Sequence, residues 1–284
     1  MKIKNIFLML SIASFACLSV NAEKKTIALA GVTVSESIKD INLYENKELS
    51  LKRVMDGIDG QLIDALNGTR KFNLVSRMDT NSILEELSLH GESFSAAKAD
   101  YIVVLTIDDF QDFFEKVHFE ALGKHVEKRK IRLGMIAKIL EMDGSVIEST
   151  NFQLDNTDIN PLIENSYQSG DLSDDLIRKI TKEMALKISN RVIDVIFPAK
   201  ILAINGSQVT INRGDGTGIV KEENWNVFAL GEELVDPDTG ESLGKLEFNV
   251  GKIKINNVTP KFSQGTIIED YGITKGSILR KSEQ

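Results

Sequence analysis

The chain has 284 residues, 34 basic and 42 acidic, with a formal charge of −8 at neutral pH. An acidic chain without a basic tract lacks the cationic surface that phosphate neutralisation requires, which argues against nucleic-acid binding and against polybasic docking on anionic lipid. Its 42% hydrophobic content is that of a globular protein rather than a disordered one.

Lys2 and Lys4 open the sequence, Ile6 to Leu18 is an almost unbroken apolar run, and Val20-Asn21-Ala22 sets small residues where a signal peptidase reads. This order predicts a secretory signal over residues 1–22 and a periplasmic mature protein. The run falls short of the roughly 20 apolar residues a membrane span needs, and no later stretch is longer, so no transmembrane span is expected. Cys17, the single cysteine, lies inside this leader. Ser14 and Phe15 fit a lipoprotein signal poorly, so cleavage after Ala22 is expected, with lipid anchoring at Cys17 as the alternative. Either way, one cysteine closes no disulfide within the folded part. The leader carries two lysines and no acid, so the remainder holds 32 basic and 42 acidic side chains.

Thr26 to Val34 reads as a buried strand. A helix follows with Leu51, Val54, Met55, Ile58, Leu62, Ala65 and Leu66 on one face and Asn67-Gly68 as its stop. Gly57 and Gly60 weaken it by about 1 kcal/mol each relative to alanine. Phe72 to Val75 is a short strand, and Asp79 caps a second helix carrying Ile83, Leu84 and Leu87. Tyr101 to Ile107 is a buried strand, and Ile131 to Leu140 with Val146 to Leu154 forms a hairpin around Asp143-Gly144. From Leu172 an amphipathic helix runs through Leu176, Ile180, Met184, Ile188, Val192 and Ile196, and Pro198 ends it.

Beyond Pro198 the pattern changes. Asn205-Gly206 lies between two apolar segments, a strong two-residue hairpin signal. Turn residues recur at Gly214 to Gly218, Pro237 to Gly240, Asn256-Asn257 and Gly272. Between them lie short strand patterns at Trp225 to Leu230, Leu243 to Phe248, Val250 to Ile255, Gly265 to Ile268 and Ser277 to Leu279. The predicted organisation is a signal at 1–22, an α/β (α+β) domain at 23–197 with an open sheet and flanking helices, and a small all-β barrel at 199–281.

Thr26 to Val34, the first helix, Phe72 to Arg77 and Ala97-Lys98-Ala99-Asp100-Tyr101-Ile102-Val103-Val104 resemble the periplasmic domain of the curli-secretion (CsgG-type) family, as does the hairpin at Asp143-Gly144-Ser145-Val146. The second domain resembles the C-terminal module of flagellar-assembly protein T, through Asn212-Arg213-Gly214 with Gly218, Val227-Phe228, Asp236 to Gly244, Val250 to Ile253 and Ile273 to Arg280. The first resemblance covers about 170 residues loosely, the second about 80 more specifically. Both imply a role in envelope assembly or secretion, and neither implies catalytic residues.

The candidate chemical motifs each have a plainer reading. Asp236-x-Asp238 opens like a calcium loop and Glu247 stands at the twelfth position. However, Gly240 occupies a ligand position and Glu241 the place of the required glycine, which leaves a hairpin turn. Arg213-Gly214-Asp215 spells an adhesion tripeptide, but three residues recur by chance in glycine-rich turns. His118 and His125 with Glu120 and Glu127 match no metal-binding spacing. Gly214-x-Gly216-x-Gly218 lies between β-type segments rather than before a helix, and no nucleophile elbow occurs. The reading is therefore a protein with no catalytic site, no metal and no cofactor.

Asp108 to Lys130 departs most from a pore-forming hairpin, in which every second side chain faces lipid. One row runs Phe110, Asp112, Phe114, Lys116, His118, Glu120, and the other includes Asp109, Gln111, Phe113 and Glu115. A long, half-solvated strand pair is expected, with Phe110, Phe113, Phe114 and Phe119 as a surface for a partner protein. The expected function is a non-enzymatic periplasmic accessory or scaffold, binding envelope or secretion-system proteins and compatible with homo-oligomers. The alternatives are a subunit of an outer-membrane secretion pore and, behind it, an envelope hydrolase.

Overall fold

A computed structural model describes residues 24–38, 48–75, 99–119, 124–161, 171–238, 240 and 242–282. The leader and the helix expected after Asp79 lie outside the described residues. The chain forms a mixed α/β domain followed by a closed six-stranded barrel.

In the first domain, β1 (Lys25–Leu29) lies between β3 (Phe72–Val75) and β4 (Tyr101–Phe119), parallel to both. β2 (Thr33–Val34) pairs farther along β4, so the expected single strand over Thr26 to Val34 is two short ones. β5 (Lys124–Glu141) and β6 (Val146–Pro161) continue the sheet antiparallel, giving the order β3-β1-β4-β5-β6. Ile27 and Ala28 are both fully buried, as a strand covered on both faces requires. Asp100 is the reason for the Ala-Asp-Tyr entry: its carboxylate accepts from the Thr26 amide at 2.7 Å and from Lys25 Nζ at 2.8 Å, fixing β4 beside β1.

Helices α1 (Glu48–Gly68) and α2 (Asp171–Ile196) cover one face. Val54, Ile58, Leu62 and Leu66 of α1 meet Ile180, Met184, Ile188 and Val192 of α2 over Val103, Leu105, Ile131, Leu133 and Met135. Each such side chain contributes about 1.5–3 kcal/mol by leaving water. Gly57 is used here: a Cβ would lie 3.2 Å from Thr181 Cγ2, so its absence lets the helices approach. Gly60 faces open space.

The barrel closes in the order β10-β11-β8-β7-β12-β9. Its strands are β7 (Ala199–Asn205), β8 (Gln208–Ile211), β9 (Asn224–Val235), β10 (Ser242–Val258), β11 (Ser263–Asp270) and β12 (Ile278–Lys281). Ile201, Val209, Ile211, Trp225, Val227, Ile253, Ile255 and Leu279 fill the interior. β10 corrects the sequence reading, which had two strands and a turn at Asn256-Asn257. It is one strand whose pairing register shifts five times, the shifts between Asn249 and Gly251 and between Ile255 and Asn257 among them. Gly251 permits the first irregularity, because a Cβ there would fall 2.2 Å from the Glu269 carbonyl oxygen. The turn comes later, where the Thr259 amide and hydroxyl donate to the Phe262 carbonyl and the Phe262 amide donates to the Thr259 hydroxyl.

The barrel is tied to the ends of both helices by its 212–218 loop. Arg213, 1% exposed, donates Nη2 to Asp194 Oδ1 at 2.5 Å and to the Phe197 carbonyl at 3.0 Å, and Nη1 to the Thr217 carbonyl at 2.9 Å. Lys71 Nζ donates to the Asn212 carbonyl at 3.1 Å. Burial and then the neighbouring Arg213 charge hold the Lys71 amine below its usual range.

Candidate partner-binding surfaces

β4 and β5 pair without a gap from Tyr101↔Glu141 to Phe119↔Lys124, apart from one irregularity between Ile107 and Asp109. That irregularity decides which phenylalanines are available. Val103, Leu105 and Ile107 point to the core, and strict alternation would continue with odd-numbered residues. The extra residue at Asp108 shifts the phase, so Phe110 and Asp112 take the inner row. Gly134 accommodates the shift, since a Cβ there would lie 2.9 Å from Asp108 Oδ1. Phe110 is 4% exposed and belongs to the core, which removes it from the expected surface. Phe113 points outward at 49% exposure. The side chains of Phe114, Phe119, His118 and His125 lie outside the described residues.

Beyond Phe110 the inner row turns ionic. Asp112 is 2% exposed and Arg129 7%, and they form a two-pronged pair, with Arg129 Nε to Oδ1 at 2.8 Å and Nη2 to Oδ2 at 2.6 Å. The sequence placed Asp112 in a charged row of a half-solvated strand pair, without a partner for it. A charged residue in each strand, close in register, was the signal available for pairing them.

The second surface was not anticipated. Beyond Phe228, the last β9 residue on a barrel neighbour other than β10, residues 229–235 pair only with β10. They and β10 up to Asn249 form a two-stranded ribbon leading away from the barrel. It carries Leu230, Leu234, Val235, Leu246 and Phe248, all exposed, with Phe248 at 53%. Phe248 lies across Gly231, where a Cβ would come within 2.8 Å of its ring. Leu230, Leu246 and Phe248 read in sequence as ordinary strand positions, whereas Leu234 and Val235 lie beyond the strand expected to end at Leu230. Their exposure follows from the strand continuing past the barrel wall.

The remaining motifs find structural uses. Arg213 of the tripeptide is buried in the domain junction and unavailable for adhesion. Gly216 and Gly218 adopt positive φ of 76° and 77° where the loop meets the helices. Asp236 accepts from the Gly240 and Asp238 amides within its own turn, and Glu247 takes a two-pronged contact from Arg280 at 3.0 and 2.6 Å. Among the described residues no group of three or more His, Cys, Asp or Glu could hold a metal ion. No described helix is long and apolar enough to cross a membrane.

No protein-family profile and no curated protein matches the chain. Among solved structures it is similar to a hypothetical protein from Chlamydia trachomatis, at 12% identity and a TM-score of 0.35, over 62% of this chain and 99% of that one. A minor lipoprotein from Acinetobacter baumannii matches at 12% identity and a TM-score of 0.32, over 59% and 94%. Rare lipoprotein B from Shewanella oneidensis matches at 12% identity and 0.22, over 60% and 92%. Likenesses this remote assign no function.

Proposed function

We propose that this chain is a non-catalytic accessory or scaffold protein of the bacterial cell envelope, exported to the periplasm and acting in assembly or secretion by holding partner proteins on its β-ribbons. The observation that carries the reading is the β9–β10 ribbon, whose exposed Leu246 and Phe248 have no role in the barrel core. Exposed apolar side chains on a two-stranded projection suit burial against another protein. The outward Phe113 on the β4–β5 pair offers a second contact. The leader and the resemblances to curli-secretion and flagellar-assembly proteins support the envelope setting. The Arg213 junction supports the scaffold character, since it fixes one domain against the other.

In-cell crosslinking of wild-type protein, with mass spectrometry of the adducts, tests this. A defined envelope protein should crosslink to the wild type and be lost from Leu246→Ser/Phe248→Ser, while melting curves of the two proteins coincide. An unchanged adduct pattern in that variant and in Phe113→Ser would remove the ribbons as contact surfaces. Purified wild-type protein that demands detergent and conducts ions across planar bilayers would replace the scaffold by the secretion pore.

A further inference from the structure

Between the end of α2 and strand β12 lies an open cleft of about 580 Å³. Arg191 and Asp194 line one side, Arg280 and Lys281 the other, with Pro198 and Trp225 among the floor residues. Three cations thus face one carboxylate in a chain whose net charge is −8. That carboxylate is engaged, because Asp194 accepts from the buried Arg213. The acids pairing with the cations hold them from outside the lining. Glu148 takes Nε and Nη2 of Arg191, Glu247 takes Nε and Nη2 of Arg280, and Glu223 takes Lys281 Nζ. Each guanidinium keeps Nη1 clear of these contacts, in an orientation its glutamate fixes beforehand. β12 supplies a further element. It pairs with β7 only at Ile278 and Leu279, whereas its pairing with β9 runs on to Lys281. Past Leu279 it has a strand neighbour on one side only.

We propose that this cleft binds an extended acidic segment of a partner protein. Its carboxylates would meet Arg191 and Arg280, and its backbone would lie along the open side of β12 at Lys281. The inference rests on the reading that the protein works through protein contacts, but none of the cleft-lining residues belongs to the ribbons, which reach it only through the Glu247 contact to Arg280.

Trp225 is the single tryptophan of the chain and joins the cleft lining to the barrel core, so its fluorescence gives one readout of binding. Mature protein is titrated with a short capped peptide of alternating glutamate and valine, with calorimetry as a second readout. Saturable binding is expected, weakened about ten-fold or more in Arg191→Gln/Arg280→Gln and by added salt, and unchanged in Leu246→Ser/Phe248→Ser. Lys281→Gln, which leaves both arginines in place, should weaken it less and guards against a double variant that fails to fold. Equal binding of the corresponding lysine–valine peptide would overturn the proposal, as would no binding, or full affinity in a double variant with native melting. Inorganic phosphate competing as strongly as the peptide would also overturn it, by reducing the cleft to a simple anion site. An adduct pattern unchanged in the ribbon variants, with this peptide binding intact, would sink the ribbon reading alone.

Discussion

The β4–β5 pair and the domain junction each bury an arginine against an aspartate, yet the two arrangements rest on different physics. At the β4–β5 pair both partners are withdrawn from water, with side-chain exposures of 9% for Arg129 and 2% for Asp112. At the junction Arg213 is buried while Asp194 is half exposed. There the guanidinium also donates to the backbone carbonyls of Ile193 and Phe197, at the negative end of α2. The first arrangement is a two-pronged pair with both charges withdrawn from water. The second is a cation spread over a helix end, with the carboxylate as one partner among several.

The largest consequence should appear in the buried pair. Asp112→Ala leaves the Arg129 charge buried without its carboxylate and should cost about 3–5 kcal/mol in denaturant unfolding. Asp112→Leu combined with Arg129→Met should recover most of that loss. If the double variant is as unstable as the single one, the cost of Asp112→Ala does not come from breaking this pair.

At the junction, Arg213→Met should cost about 2–4 kcal/mol, because the α2 carbonyls and the Thr217 carbonyl lose their donor. Asp194→Asn should cost clearly less, and the ratio of the two effects measures how far the helix end shares the charge. Arg213→Met should also split thermal unfolding into two calorimetric transitions as the domains uncouple. A single transition would show that the clamp is not what couples them. An isolated 199–284 segment, expected from the sequence to fold alone, would retain its barrel core but lose every partner of Arg213 except Thr217.

Backbone approach at the junction gives a smaller effect. Gly216→Ala should cost more than the roughly 1–2 kcal/mol of left-handed strain alone, since its Cβ would come within 2.9 Å of the Gly68 carbonyl oxygen. Gly206→Ala has positive φ but open space and should show the strain only. Equal costs, read from urea midpoints, would mean that the 212–218 loop is not held against α1.

The smallest effect is in pH. A hydrogen bond from Thr150, and then Arg191, hold the Glu148 carboxyl below its ordinary 4.5. A depressed carboxyl contributes stability that is present above its unfolded value and is lost as pH falls through the folded one. Wild type should therefore lose part of its advantage over Glu148→Gln as pH drops below about 4.5. A melting difference constant across that range would show that this tie between β6 and α2 contributes nothing.

Much of the fold follows from local pattern. The face of α1, the stop at Asn67-Gly68, the Asp143-Gly144 and Asn205-Gly206 turns and the boundary at Pro198 are written in side-chain periodicity and turn chemistry, which act over a few residues. The candidate surfaces are not local in this way. Phe110 and Phe113 differ only in their distance from one extra residue at Asp108, and that irregularity depends on Gly134 in the opposite strand. Leu246 and Phe248 read as any barrel strand until β10 is seen to outrun its neighbours. Arg213 spells part of an adhesion tripeptide, and only the packing of α2 against the loop turns it inward. By itself the sequence determined most element types and the acidic, cysteine-poor character. The tertiary structure decided which charges are buried and which apolar groups are exposed, because strand pairing and helix packing join residues too far apart in the chain for any local periodicity to register.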